Sequence, residues 1–539
     1  AFRDCVSLRT LTLVGNADMD LSFGNSAFQN CVSLNTINFS EHVGEFAFHS
    51  VFDGCDNLIS INVDPANQTY FSDDGILFNK DRTSLLFYSR LKGNYEIPES
   101  VTTIGASAFA DNGLITSVTI GANVTVIEEG AFENIVRLGS LTIAGGDHAL
   151  AIEDNAFASC TQLAAVSLPS RVRSVGAGAF EGNELLATLE MVAGLETIGS
   201  RAFAGTAVTS VTVPNTVTSL GGGAFADCAS LTSLAFAPGG KEKLVITDAK
   251  EADGGILSGT KVESVTLPIR LTSIGNYAFY GSKLLADVLF ETGTVALSEI
   301  GDYAFAETAI NIFNVPSNVV SIGEGAFAEC VSLESFTFAD SAKVEKIGEV
   351  AFYGSISLQT ITLPHSLTSL GVNAFDGCSN LVSVSIVDGN AKYVSEDGVL
   401  YNAEKTIIEV FPEGRTAPYT LPSSITEIAD NMFQNSKVTG VILHGDVTSI
   451  GDAAFYGATA LKSVVMAEGL TTIGEEAFYG SGVEELTIPS TVSSIGEYAF
   501  SMMPALTKAV FLDKADGTPG ALEVLAGRAF QAYDMDMPT

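Results

Sequence analysis

Pro316 to Phe338 reads PSNVVSIGEGAFAECVSLESFTF, and Pro214 to Phe236 reads PNTVTSLGGGAFADCASLTSLAF. The two stretches have the same length and the same apolar positions. Val319, Ile322, Ala326, Phe327, Cys330, Leu333, Phe336 and Phe338 match Val217, Leu220, Ala224, Phe225, Cys228, Leu231, Leu234 and Phe236. A fixed-period repeat of this kind marks a solenoid and overrides any local reading of secondary structure.

Working outward, the Ala-Phe pair sets the period. Its Phe falls at Phe109, Phe132, Phe157, Phe180, Phe203 and Phe225, in steps of 23, 25, 23, 23 and 22 residues. The series resumes at Phe279, Phe305, Phe327, Phe352 and Phe375, and again at Phe433, Phe455, Phe478 and Phe500. A degenerate copy around Ile256 and Leu257 fills the double gap before Phe279. Residues 1–63 hold less regular units, with Ala27-Phe28 and a doubled Phe48/Phe52.

Each unit predicts two short strands. In Ile361-Thr362-Leu363 the alternation points two apolar side chains inward and Thr362 outward. Pro364 stops that strand, since proline cannot donate to a ladder. Leu367 to Leu370 is the second strand, ended by Gly371. The Ala374-Phe375 segment is too short for a stable helix and reads as a helical or 3₁₀ turn. One unit cannot bury its own apolar face, but stacked units can. The expected fold is therefore a β-rich solenoid of about 22 coils over residues 1–539, with strands of successive coils pairing about 4.8 Å apart.

Two insertions break the period, at 64–98 and 388–422. Asp74-Gly75-Ile76-Leu77-Phe78-Asn79 aligns with Asp397-Gly398-Val399-Leu400-Tyr401-Asn402. Each insertion reads as a hairpin with its polar turn at Lys80-Asp81 or Ala403-Glu404. Gly75 and Gly398 are 323 residues apart, and Phe109 and Phe433 are 324 apart, which suggests duplication of a block of repeats.

Net charge is −37, from 63 acidic and 26 basic residues. That argues against nucleic acid, whose phosphates need lysine and arginine, and against an anionic membrane surface. It fits a solvated acidic surface or a cationic partner. No run of about 20 apolar residues is present, so no transmembrane segment is expected. The sequence opens and closes inside repeat units, which suggests a piece of a longer chain.

All seven cysteines stand three residues after the repeat Phe: Cys5, Cys31, Cys55, Cys160, Cys228, Cys330 and Cys378. Elsewhere that slot holds Asn112, Asn183, Thr308 or Ser355. A slot that takes small residues of this kind is interior, so the thiols should be buried and free.

These units resemble the BspA-like leucine-rich repeats, with a consensus close to LxxIxLPxxLTSIGxxAFxGCxxL. Ser264 to Leu285 (SVTLPIRLTSIGNYAFYGSKLL) and Thr360 to Leu381 (TITLPHSLTSLGVNAFDGCSNL) are close matches. The DGVLYN stretch at Asp397 to Asn402 resembles the family's usual interruption. The resemblance implies a curved right-handed leucine-rich-repeat solenoid, on or outside the cell surface, associated with adhesion and protein–protein contact. It carries no catalytic residues. The heavy acidity exceeds what the family implies.

The residues themselves offer no chemistry either. His42, His49, His148, His365 and His444 share no repeat slot, and no nucleophile elbow, phosphate loop or metal triad occurs. No enzyme activity, cofactor or metal is expected. The candidate site is the row of outward positions on the first strand: Thr119, Thr142, Ser167, Thr212, Thr266, Asn314, Thr337, Thr362, Ser385 and Thr487. A second row comprises Thr218, Thr272, Thr368, Thr448 and Ser493. Threonine suits an exposed strand without further purpose. The functional reading is a recognition face for a protein or glycan, or for copies of the same chain in a filament or sheath. Sequons at Asn38, Asn67 and Asn123 permit N-glycosylation. The function that follows is a non-enzymatic extracellular or cell-surface adhesion or structural protein. The alternative is a receptor-type or intracellular scaffold for one protein partner.

Overall fold

The computed structural model describes residues 2–16, 23, 26–46, 51–52, 54–55, 57–88 and 93–530. Phe48 and His49 lie outside them. The chain forms two compact units, 1–297 and 298–539. Each is a run of stacked coils, and the fold is a β-solenoid of about 21 turns with almost no helix, against the 22 expected.

Most of the described coils contribute a long strand of three or four residues and a second strand of two to four. The long strands pair in parallel and in register, as in Thr360↔Ser383, Ile361↔Val384, Thr362↔Ser385 and Leu363↔Ile386. Burial alternates as the sequence requires: Ile361 and Leu363 are buried and Thr362 is exposed. The short strands form their own parallel ladder, for example Thr197–Ile198 with Ser219–Leu220.

The Ala-Phe segment is not helical, which corrects the sequence expectation. Around Phe327, Gly325 and Glu329 have φ of 53° and 54°; around Phe375, Asn373 and Gly377 have 55° and 72°. A left-handed residue on each side of the pair forces two tight turns, and a right-handed helix cannot include either. This explains why Gly and Asn are frequent at these two places. Val350 occupies one at φ 46°, a strained choice for a β-branched residue.

The phenyl rings lie on top of one another. From Phe109 through Phe132, Phe157, Phe180 and Phe203 to Phe225, successive centroids are 4.5–5.6 Å apart. Phe305, Phe327, Phe352 and Phe375 form a second stack, and Phe433, Phe455, Phe478 and Phe500 a third. Each buried ring contributes about 1.5–3 kcal/mol from burial, and ring contacts add about 0.5–1.5 kcal/mol per pair. Leu257 holds the ring position in the degenerate coil and is buried there.

The cysteine slot is interior. All seven thiols are free and six are buried, with Cys5 partly so. Their role is to donate to the backbone of the preceding coil: Cys160 Sγ to Phe132 O at 3.1 Å, Cys330 to Phe305 O at 3.1 Å, Cys378 to Phe352 O at 3.1 Å. Ser355 makes the same bond to Phe327 O at 2.9 Å. Burial pushes the thiols of Cys160 and Cys378 up to about 12 and that of Cys330 to about 11, so they are poor nucleophiles.

The acidic turns have a structural use that the sequence did not reveal. The carboxylates of Asp154, Asp302 and Asp452 each accept a backbone N–H from the following coil, at 2.7–2.8 Å. Arg171 and Arg270 were likewise missed as anchors. Both are buried, and each follows a coil with an inserted loop. Arg171 Nη1 and Nη2 donate to Val124 O at 2.6 Å and Gly121 O at 2.9 Å. Arg270 Nη1 donates to Val217 O at 2.6 Å.

Candidate functional site

The long strands do present the ten expected residues outward. Thr142, Ser167, Thr212, Thr266, Asn314, Thr337, Thr362 and Thr487 are exposed, and Thr119 and Ser385 are half-buried. Strand register brings them side by side in part: Thr119 lies beside Thr142, Asn314 beside Thr337, and Thr362 beside Ser385. The hydroxyls of Thr362 and Ser385 are 2.9 Å apart, and Thr337 Oγ1 donates to Asn314 Oδ1. The row is not uniform, however. Ser167 is paired with Glu190, Thr212 with Ala235, Thr266 with Leu289 and Thr487 with Val510. Short polar groups therefore alternate with a carboxylate and with apolar side chains.

The second row is committed to the fold. Thr218 Oγ1 donates to Glu196 O at 3.2 Å, Thr272 to Leu244 O at 3.1 Å and Thr368 to Glu345 O at 3.0 Å. Thr448 and Ser493 donate to Thr426 O and Thr471 O at 3.3 and 3.2 Å. Each hydroxyl stitches its coil to the carbonyl of the one before.

The three sequons differ. Asn67 is fully buried, and its Nδ2 donates to Ser40 O at 2.8 Å and Val43 O at 3.0 Å. Both amide hydrogens are used, so Asn67 is no glycan acceptor in the folded chain. Asn123 is exposed, although its Nδ2 bonds Glu99 O at 2.8 Å. Asn38 is half-buried in a polar run, bonded to Thr12 at 3.3 Å and accepting from Asn62 at 2.8 Å.

The insertions hold three strands each, one more than a simple hairpin. In the first, Tyr70–Asp73 pairs antiparallel with Ile76–Asn79, which pairs with Ser84–Phe87. In the second, Tyr393–Glu396, Val399–Asn402 and Ile408–Val410 do the same. The additional turn is Asp74-Gly75 or Asp397-Gly398, with φ of 51° and 83° or 50° and 79°. That is the backbone an Asp-Gly hairpin turn adopts, and the dipeptide was the signal for it.

The second insertion borders a cleft of about 550 Å³, lined by residues that include Leu370, Val372, Asp376, Ile407, Glu409, Val410, Glu413, Asp430 and Met432. Glu413 is its best-defined polar group. One carboxylate oxygen accepts the Gly377 N–H at 2.6 Å. Burial raises this carboxyl to about 7; the neighbouring Asp376 pushes it the same way, while the Gly377 bond and Lys437 oppose the rise. Among the described residues, no group of three His, Cys, Asp or Glu is placed to hold a metal ion. None of the described helices is long and apolar enough to cross a membrane.

Parallel coils with an inward ring, an inward thiol slot and an outward polar strand define a leucine-rich-repeat solenoid. The BspA-type leucine-rich repeat region matches this chain in six copies, over residues 1–79, 80–205, 150–285, 250–382, 298–411 and 413–507. The chain belongs to that family. Among solved structures it is similar to the pneumococcal vaccine antigen PcpA, at 24% identity over 59% of this chain and 79% of that one, TM-score 0.44. It is also similar to a leucine-rich cell-surface protein of Faecalibacterium prausnitzii, at 26% identity over 61% and 86%, TM-score 0.42. A leucine-rich repeat protein of Bacteroides ovatus matches at 22% identity over 82% and 98%, TM-score 0.49. No curated protein matches the sequence.

Proposed function

We propose that the chain is a non-enzymatic binding module of an extracellular or cell-surface protein, which engages a protein or glycan partner through the outward face of its long strands. The observation that carries this reading is that face itself. Rigid coils hold its side chains in register, at the inter-strand spacing of about 4.8 Å. Many weak contacts along such a face add through effective concentration.

A second reading, recognition of one defined partner, is favoured by the breaks in the row. Glu190 and the exposed Leu289 interrupt the polar positions and make adjacent coils chemically distinct. A filament or sheath built from copies of the chain would use a more uniform face.

The test is substitution of Thr142, Ser167, Thr212 and Thr266 together by lysine, followed by measurement of adhesion to the surfaces the native protein binds. The proposal expects adhesion to fall at least tenfold with the fold intact. Unchanged adhesion would remove this face from consideration. Imaging the native protein in its source separates the two forms: polymers favour assembly, dispersed single molecules favour the receptor reading.

A further inference from the structure

We propose that Cys5, Cys31 and Cys55 form a redox-sensitive thiol column: Cys5 takes up an external disulfide, and Cys31 keeps it as a bond to a neighbouring cysteine. This goes beyond the outward face and uses none of its residues.

Their neighbours set these three apart from the other four cysteines. The coils of Phe2, Phe28 and Phe52 are consecutive, with ring centroids 5.1 and 5.2 Å apart. Their long strands pair in register, Leu11 beside Ile37 and Ile37 beside Ile61. Each carries cysteine three residues after its ring, which no other two successive coils do. Asn183 follows Cys160, Thr206 and Thr260 flank Cys228, Thr308 and Ser355 flank Cys330, and Ser355 precedes Cys378. Side chains in this slot meet between adjacent coils: Thr206 Oγ1 is 3.2 Å from Cys228 Sγ, and Thr308 Oγ1 is 3.4 Å from Cys330 Sγ. In the column, the Cys31 thiol is in hydrogen-bond contact with the Cys55 thiol and with the Cys5 backbone. The coil spacing of about 4.8 Å falls within the Cα separation of about 4.4–6.8 Å that a disulfide accepts.

Access sets the order of the steps. All three thiols are free in the structure; Cys5 is half-buried, and Cys31 and Cys55 are buried. The Cys5 thiolate attacks a low-molecular-weight disulfide, RSSR, and one RSH leaves. The Cys31 thiolate then attacks Cys5 Sγ, and the second RSH leaves. One RSSR and two cysteine thiols thus become one internal disulfide and two RSH, the cysteine protons leaving on the released thiols. Attack by Cys55 on Cys31 Sγ frees Cys5 and moves the bond inward with no further oxidation. Burial raises the Cys31 thiol and slows its step, while the Cys5 backbone and the Cys55 thiol work against that rise. The bond ties cysteines 26 or 24 residues apart and restricts the unfolded chain between them. A bond to the carbonyl before it is the slot's plain use, and Ser355 meets that need without a thiol.

The experiment incubates the whole folded chain with oxidised glutathione, then blocks the remaining thiols in denaturant for intact-mass and peptide mapping. Blocked thiols should fall from seven to five. The unblocked mass should fall by about 2 Da, with a cross-link at Cys31 that dithiothreitol reverses. Amide exchange across Thr36–Phe39 should slow about fivefold or more in the oxidised chain, leaving Ser210–Val213 unchanged. Cys31→Ser, a residue the slot accepts at Ser355, should form no internal disulfide. Cys160→Ser should still lose two thiols. The proposal is overturned if all seven thiols stay free, or if glutathione remains on Cys5 with no internal bond. It is equally overturned if the cross-link maps to Cys160, Cys228, Cys330 or Cys378, if Cys31→Ser still cross-links, or if the bond leaves exchange at Thr36–Phe39 unaltered. None of these outcomes depends on the outward face.

Discussion

The two insertions carry the same local construction yet join their surroundings differently. Asn67 Oδ1 accepts from the N–H groups of Thr69 and Tyr70, and Asn390 Oδ1 accepts from those of Lys392 and Tyr393, all at 2.7–2.8 Å. The hydroxyls of Tyr70 and Tyr393 accept the N–H groups of Phe46 and Leu370 at 3.1 and 3.0 Å. Asn79 and Asn402 cap the following turn through matching bonds to Thr83 and Thr406. Tyr88 and Phe411 then lie against Phe109 and Phe433, with centroids 4.7 and 4.5 Å apart.

The difference begins after those aromatics. The second insertion has one more residue before its next ring, since Phe109 is 34 beyond Gly75 and Phe433 is 35 beyond Gly398. Its exit is bound to the preceding and following coils: Gly414 N–H to Leu381 O at 2.8 Å, Lys437 N–H to Glu413 O at 2.7 Å. In the first, Tyr88 N–H reaches Ala108 O at 2.8 Å and the strand stays in the ladder. Ala429, in the slot of Gly105, does not explain the gap. Glu128 occupies the same slot in a regular coil and still donates to Ile104 O at 2.9 Å. Local motifs are copied because their bonds close within a few residues, whereas joining the ladder depends on where the exit is held.

The comparison can be broken most directly at the aromatics. Tyr88→Ala and Phe411→Ala should each cost about 3–5 kcal/mol in denaturant unfolding, since both remove buried rings. A large cost at one and a negligible cost at the other would end the equivalence. Asn67→Ala and Asn390→Ala come next, at about 2–3 kcal/mol each from several unmade bonds. Asn67 should lie at the upper end, being fully buried. Gly75→Ala and Gly398→Ala should cost about 1–2 kcal/mol each. An added Cβ would meet Ile59 O at 3.1 Å in the first and Ser383 Oγ at 3.0 Å in the second.

The smallest effect separates the two insertions. Glu413 has a folded-state carboxyl raised to about 7 from 4.5. The folded chain therefore holds its proton more tightly than the unfolded chain does. The stabilisation is fully present below pH 4.5 and is lost as pH rises through 7. After allowance for solvent screening the change is about 1 kcal/mol. Glu413→Gln should remove this part of the pH slope, measured by exchange at Ile408–Val410 between pH 4.5 and 7.5 with the intrinsic rate corrected. An unchanged slope would assign it to another group.

Much of the coil was legible because the signals are periodic. The inward ring, the thiol slot and the outward Thr362 each recur at a fixed offset, and one strand alternation assigns all three. The Ala-Phe turn was misread because strand and helix propensities do not report left-handed residues such as Asn373. The burial of Asn67 was hidden by its own context, since Asn-Gln-Thr reads as an exposed loop while the side chain replaces missing backbone bonds. The outer row was found, but its breaks at Glu190 and Leu289 were passed over because those coils lack the threonine being followed.

The sequence by itself determined that two dozen residues make one coil and which side chains face inward. Burial of a repeated apolar pattern admits only one stacking register, because a slip of one residue would turn every ring and thiol outward. Only the tertiary structure decided that Thr218 and Thr272 are stitches rather than contacts, and that one insertion joins the ladder while the other leaves an edge. Those outcomes depend on bonds between residues far apart in the chain, whose partners no local pattern names.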